Sequence, residues 1–134
     1  MVTLDGKVYI ETHFTKEEME CSCGCGICPT DEAVLRLEYA RVNATKQVGK
    51  EFPFFITCGA RCVKHNDEIS GVPGSKHIPP DCYAFDIGFS NTHEASIIVA
   101  ECYKAGFTSC AINFKKQFIH VDMRPEKHSQ VWSY

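Results

Sequence analysis

The chain has 134 residues, of which 44% are hydrophobic, 23% charged and 11% aromatic. That length fits one domain and is enough to bury a core. A formal net charge of −3 lacks the basic excess of a nucleic-acid binder, so no nucleic-acid partner is expected; the expected state is a soluble monomer.

The opening MVTLDGKVYIETHF has no positive start followed by a long apolar run, so no secretory signal is read from it. No apolar stretch is long enough to span a bilayer, and no membrane partner is expected. Nine cysteines are many for this length, and an odd number without a secretory signal argues against a complete disulfide framework. Four crowd into Cys21, Cys23, Cys25 and Cys28, while Cys58, Cys62, Cys82, Cys102 and Cys110 are scattered. A reducing compartment is the simpler assumption.

Thr15-Lys16-Glu17-Glu18 has the form of a capping box, which predicts a short helix. The Cys/Gly segment from Cys21 to Pro29 suits tight turns. A longer helix is predicted from about Asp31 to about Val48, capped by Thr30 and stopped by Gly49. Phe54-Phe55-Ile56-Thr57 reads as a strand, Cys62 to Ile69 as a helical turn, and Ser70 to Gly74 as a loop. Ala84-Phe85-Asp86-Ile87 reads as a buried strand. Asn91-Thr92-His93-Glu94 opens a second amphipathic helix, closed by Gly106. Two strands follow, Ser109 to Phe114 and Phe118 to Met123, joined through Lys115-Lys116-Gln117 as a hairpin. No repeat or linker stands out. The result is a single α+β domain with helices on a mainly antiparallel sheet, the segment 1–30 forming a Cys-rich start within it.

Metal-capable side chains concentrate in Ser75-Lys76-His77, Ala84-Phe85-Asp86 and His120-Val121-Asp122. Zinc favours imidazole nitrogen, thiolate and carboxylate oxygen, and a catalytic site keeps one position open for water. Residues two apart on a strand share a face, so His120 and Asp122 can point into one cleft. A lone His or Asp is more often structural, and spacing alone makes a mononuclear site plausible without compelling it.

From Phe14 to the C-terminus the chain resembles the zinc D-alanyl-D-alanine carboxypeptidase family, in its small bacterial and phage branch, whose fold is shared with Hedgehog signalling domains. The family's Ser-Gly-Tyr-Arg strand end followed by His-Asn stands here as Thr57-Cys58-Gly59-Ala60-Arg61 with His65-Asn66. Its Ser-x-His and Ala-x-Asp metal motifs are Ser75-Lys76-His77 and Ala84-Phe85-Asp86. Its closing strand is Phe118-Ile119-His120-Val121-Asp122, with Trp132 near the end. The Cys-x-Cys-Gly-Cys-Gly segment after a short helix is familiar from the same branch.

The resemblance implies one catalytic Zn2+ held by His77, Asp86 and His120, and a peptidoglycan stem peptide as substrate. It places Arg61 beside the metal to hold a substrate carboxylate or an oxyanion, and Ser75 behind the ligand loop. His65 becomes substrate-facing or supporting, with a plain structural role as its alternative. Relatives carry a Glu or Asp three residues before the last zinc His, where this chain has Gln117. Asp122 is then the remaining carboxylate, either as proton acceptor or as a structural group behind His120. Relatives also have six residues between the metal His and Asp, and this chain has eight, Ile78 to Phe85. Asp86 is kept as ligand for its strand context, with Asp81 or Cys82 as substitutes.

A second zinc at Cys21, Cys23, Cys25 and Cys28 is the less favoured reading, since Cys-x-Cys-x-Cys is tighter than usual ligand spacing; buried thiols, or a disulfide with Cys58 or Cys62, are the favoured ones. Three functions are carried: a peptidase made in the cytoplasm and acting on the wall, as a phage lysin does; a catalytically weak zinc module that recognises wall peptide or a protein partner; and a cysteine-knuckle nucleic-acid binder, disfavoured by charge.

Overall fold

The computed structural model describes residues 2–4, 8–10, 12–125 and 129–134. In chain order the elements are β1 (Val2–Leu4), β2 (Val8–Ile10), α1 (Lys16–Met19), α2 (Asp31–Val48), β3 (Phe55–Cys58), α3 (Val63–Glu68), β4 (Ala84–Gly88), α4 (Thr92–Ala105), β5 (Ser109–Asn113), β6 (Phe118–Asp122) and β7 (Gln130–Ser133).

Local chemistry delimits the helices where the sequence predicts. The Thr15 hydroxyl accepts from the Glu18 amide while Glu18 reaches back to the Thr15 amide, the reciprocal capping box of α1. Thr30 accepts from the Ala33 amide at 3.3 Å, and Gly49 ends α2 at φ 83°, where a Cβ would be strained. Asn91 and Gly106 do the same for α4. Ala33, Leu37, Ala40 and Ala44 form one buried stripe of α2, and Ala95, Ile98, Cys102 and Ala105 one of α4. The small residues in both stripes let the two helices approach closely as they pack on the sheet.

The sheet runs β3-β4-β6-β5-β7, antiparallel throughout except for the parallel β5–β7 pair. It is therefore mixed rather than purely antiparallel, and the α+β expectation holds. Neither β7 nor the antiparallel β1–β2 pair is anticipated from sequence. All four residues of β7 are exposed, so it carries no apolar alternation to read. The strands β1 and β2 have three residues each, too few for a period.

The pleat sorts the strands into two faces. Phe85, Ile87, Cys110, Ile119 and Val121 join the buried cluster that also holds Leu37, Ile98 and Phe107. Their strand neighbours Asp86, Ala111, His120 and Asp122 project to the opposite face. Alternation thus puts the greasy half of β4, β5 and β6 under the helices and the chemistry on the other side. No helix among the described residues is long and apolar enough to cross a membrane.

A candidate metal centre on the second face of the sheet

Register aligns one row across all five strands. Cys58 pairs with Asp86, Asp86 with His120, His120 with Ala111, and Ala111 with Trp132. Asp86 and His120 are therefore directly opposite each other on neighbouring strands, close enough for their side chains to meet. The third member, His77, arrives from the loop between α3 and β4. Its amide donates to Ser75 Oγ at 3.2 Å, its carbonyl accepts from the Arg61 amide at 2.9 Å, and its Nδ1 lies 2.7 Å from the Gly59 carbonyl. The first bond shapes the loop and the other two pin it across the end of β3.

His77 Nε2, His120 Nδ1 and Asp86 Oδ1 form a triangle whose three edges are each 3.2 Å. A tetrahedral zinc with nitrogen and oxygen ligands at about 2.0–2.1 Å spaces its ligand atoms roughly 3.3 Å apart, so the triangle is the size of one tetrahedral face. The outer nitrogens agree with this. A carbonyl oxygen only accepts, so the bond to Gly59 puts the ring proton of His77 on Nδ1 and leaves Nε2 with a lone pair. His120 Nε2 lies 2.7 Å from Asp122 Oδ2, which puts its proton there and frees Nδ1. Both lone pairs therefore face the carboxylate oxygen, an arrangement that suits a shared cation.

Charge tells the same story. Burial works against a positive His77, yet the hydrogen bond and charge of Asp86, with Cys58 beside it, push its pKa up to about 10. His120 is also raised, Asp122 and Asp86 outweighing burial and the neighbouring His77. Burial would raise Asp86, but its bonds to His120 and His77 hold it well below the usual carboxylate range. The pocket favours positive charge against Asp86, and two protons or one dication satisfy it.

Asp122 is 0% exposed. Its Oδ2 accepts from His120 and from Arg124 Nη2 at 2.6 Å; its Oδ1 accepts from Arg124 Nε at 2.9 Å and the Arg124 amide at 3.1 Å. Burial opposes its ionisation, but Arg124 and His120 hold its pKa well below the ordinary range. Arg124 in turn lies 5.0 Å above the Trp132 ring, which sits 6.1 Å from His120. The unanticipated β7 thus supplies the wall behind His120.

The other residues singled out in the sequence are placed as follows. Arg61 donates from Nη2 to Ser75 Oγ at 3.2 Å, so one hydroxyl joins the guanidinium to the His77 loop. Its Nε is buried without a partner among the described residues. His65 stands apart from the triangle, with Nε2 3.0 Å from Ser22 Oγ, while it lines a cleft of about 450 Å³ together with Cys58, Arg61, Glu17 and Glu20. Gln117 sits at the β5–β6 turn, its amide directed to the Ser90 carbonyl at 3.4 Å. In the lengthened His77–Asp86 loop, Cys82 N bonds Ile78 O at 3.1 Å and Tyr83 N bonds Lys76 O at 3.2 Å. These bonds fold the extra residues on themselves and return the chain to β4 in register. Asp81 pairs with Lys76 at 3.3 Å, and Cys82 is buried, so neither substitutes for Asp86 in the triangle.

Cys58 is a neighbour the sequence reading missed. Its sulfur lies within 4.8 Å of ligand atoms of His77 and Asp86, and 3.8 Å from His77 Nδ1. That nitrogen carries the proton donated to Gly59, so the set built on His120 has the tighter and better-oriented donors. The row Cys58–Asp86 could have been found only by knowing the β3–β4 register.

A second convergence corrects the sequence expectation. The sulfurs of Cys21, Cys23, Cys25 and Cys62 lie within 4.8 Å of one another. Cys28 is replaced in the group by Cys62, its own thiol turning to the Gly26 carbonyl at 3.5 Å. Spacing could not reveal this, because Cys62 reaches the loop through tertiary packing.

Compared with protein families, residues 12–122 match the model described as Peptidase M15. None of the curated proteins compared with the chain matches it.

Proposed function

Because the chain belongs to the peptidase M15 family, we propose that it hydrolyses D-alanyl peptide bonds of bacterial peptidoglycan, with zinc held by His77, Asp86 and His120. The observation that carries the reading is the 3.2 Å triangle, with the outer nitrogen of each imidazole hydrogen-bonded to the Gly59 carbonyl or to Asp122. Zinc, when bound, supplies Lewis acidity that polarises a carbonyl and makes water nucleophilic near neutral pH.

The chain's own groups do the rest. The Gly59 carbonyl and Asp122 hold the two imidazoles in the tautomers that bind metal. With both oxygens committed to Arg124 and His120, Asp122 is suited to orienting His120 rather than to receiving a proton from the open side. Arg61 keeps a buried Nε that has no partner among the described residues, beside the cleft. An unmet guanidinium donor is costly, and a substrate carboxylate or developing oxyanion would satisfy it. Ser75 positions Arg61 and His77 together. His65 lines the same cleft and would meet a peptide bound there.

One observation favours a second reading, a zinc module that recognises wall peptide with weak or no catalysis. Among the described residues, Asp86 and Asp122 are the carboxylates that hydrogen-bond the two imidazoles, and both are committed. The position where relatives carry a Glu or Asp is Gln117, which is directed to Ser90.

The deciding experiment measures zinc content and hydrolysis of a stem peptide ending in D-Ala-D-Ala, alongside an internally crosslinked peptide, for wild type and His120→Ala. Loss of one zinc together with loss of turnover supports the peptidase, and the preferred peptide separates carboxypeptidase from endopeptidase action. Wild type that carries this zinc and binds both peptides without cutting either establishes the second reading. Turnover that survives His120→Ala overturns the site.

A further inference from the structure

We propose that Cys21, Cys23, Cys25 and Cys62 bind a second zinc in a closed four-thiolate site, which fastens the loop between α1 and α2 to the start of α3. A tetrahedral zinc with sulfur ligands at about 2.3 Å spaces the sulfurs roughly 3.8 Å apart. The Cys21–Cys23 and Cys23–Cys62 sulfur separations are 3.4 and 3.7 Å, and all four sulfurs lie within 4.8 Å. Four thiols gathered at that spacing are the complete ligand set of a structural site, with no position left for water.

The surroundings are built for thiolates. The Cys62 amide points at Cys21 Sγ at 3.4 Å, and the His65 amide at Cys62 Sγ at 3.3 Å. Backbone N–H donors of this kind stabilise negative sulfur and orient it, as outer groups do for metal ligands generally. Gly24 and Gly26 alternate with the cysteines at φ 82° and 87°, the left-handed backbone needed to turn successive sulfurs inward. Cys21 N to Ile27 O at 2.8 Å closes the loop. Ser22, between two of the cysteines, bonds His65 Nε2 at 3.0 Å, which adds a second tie from the loop to α3.

Core packing does not account for the cluster. Cys102 and Cys110 are buried among apolar side chains, as thiols used for packing are. Cys23 and Cys25 are exposed and lie outside the buried apolar cluster of the described residues. Their position is explained by what they share with Cys21 and Cys62. The site also bears on the metal centre of the sheet, because Cys62 directly follows Arg61, whose amide holds the His77 carbonyl.

The test is metal stoichiometry by mass spectrometry on full-length protein, purified with zinc and a thiol reductant. Wild type and Cys28→Ser are expected to hold two zinc ions per chain. Cys23→Ser/Cys25→Ser and His77→Ala/His120→Ala are each expected to hold one. Cobalt loaded into His77→Ala/His120→Ala should show thiolate-to-cobalt charge transfer and strong tetrahedral visible bands. Should that variant fail to fold, the charge-transfer band is read in cobalt-loaded wild type against Cys28→Ser and Cys23→Ser/Cys25→Ser, and must vanish only in the last. One zinc in wild type that disappears with the histidines overturns the second site and leaves the peptidase reading standing. A cobalt spectrum without charge transfer, or the four cysteines recovered as disulfides despite the reductant, overturns it equally.

Discussion

Replacing Asp122 with Asn separates an orienting carboxylate from a proton acceptor. The wild-type side chain accepts one bond from His120 and three from Arg124 at a position with no solvent exposure. Asn keeps the shape but presents an acceptor on one side only, so its NH2 meets the donor of either Arg124 or His120. A buried donor left facing a donor costs about 1–3 kcal/mol. The Arg124 side chain is 26% exposed and can turn towards water, so the lower half of that range is expected for the fold. The larger effect falls on metal. If the amide NH2 faces His120 Nε2, the ring proton moves to Nδ1 and removes a lone pair from the triangle. Loss of such an outer partner weakens metal binding by about 10- to 100-fold. The assay is competition for zinc against a chromophoric chelator, with kcat/KM on the same preparations at saturating zinc. Weaker zinc affinity with activity largely restored at saturation is the expected result. Unchanged affinity, with turnover lost at full occupancy and the acidic limb of the pH profile gone, would refute the argument and make Asp122 the proton acceptor.

Three further outcomes follow from the same geometry. In metal-free protein the pKa of His77 is raised from 6.5 to about 10, so its stabilising contribution is complete below the lower value and lost as pH rises through the upper one. The Tm of metal-free protein should therefore fall over that window and that of zinc-loaded protein should not; a flat metal-free profile contradicts the coupling of His77 to Asp86. Arg61→Lys keeps the charge but not the planar fork, so zinc content should hold while kcat/KM drops about 10²-fold; unchanged kcat/KM removes Arg61 from the site. Gly59→Ala would place a Cβ 2.2 Å from the Met19 carbonyl oxygen. Backbone must shift to relieve that contact, at about 1–3 kcal/mol or more, visible as a Tm lower by several degrees, and a Tm equal to wild type would show that the close approach is relaxed.

How much of this was legible in the sequence depends on whether a feature is local. The caps at Thr15, Thr30 and Asn91 and the stops at Gly49 and Gly106 act within a turn of their helices, and both long helices lie where those signals put them. Alternation in Phe85-Asp86-Ile87 and Ile119-His120-Val121 was equally readable, because one face of each strand is buried. Features created by pairing were not. The strand β7 is exposed along its length and exists because Ser109 to Ile112 offers it a free edge. Cys58 enters the row beside Asp86 only through the β3–β4 register, and Cys62 joins the thiol group across the fold.

The same distinction orders the candidate site. Asp86 and His120 are placed by a rigid antiparallel pair, so their geometry survives wherever β4 and β6 keep register. His77 is placed by a loop, and the loop is held by groups from three sources: Ser75, the Gly59 carbonyl at the end of β3, and the Arg61 amide. The hydrogen bonds of the Ile78–Tyr83 bulge close before β4 begins and do not enter those three contacts. Of the three proposed ligands, the vulnerable one is therefore His77. Perturbing Gly59 or Ser75 should weaken metal binding more than shortening the Ile78–Tyr83 bulge, although the bulge lies on the direct path between two ligands.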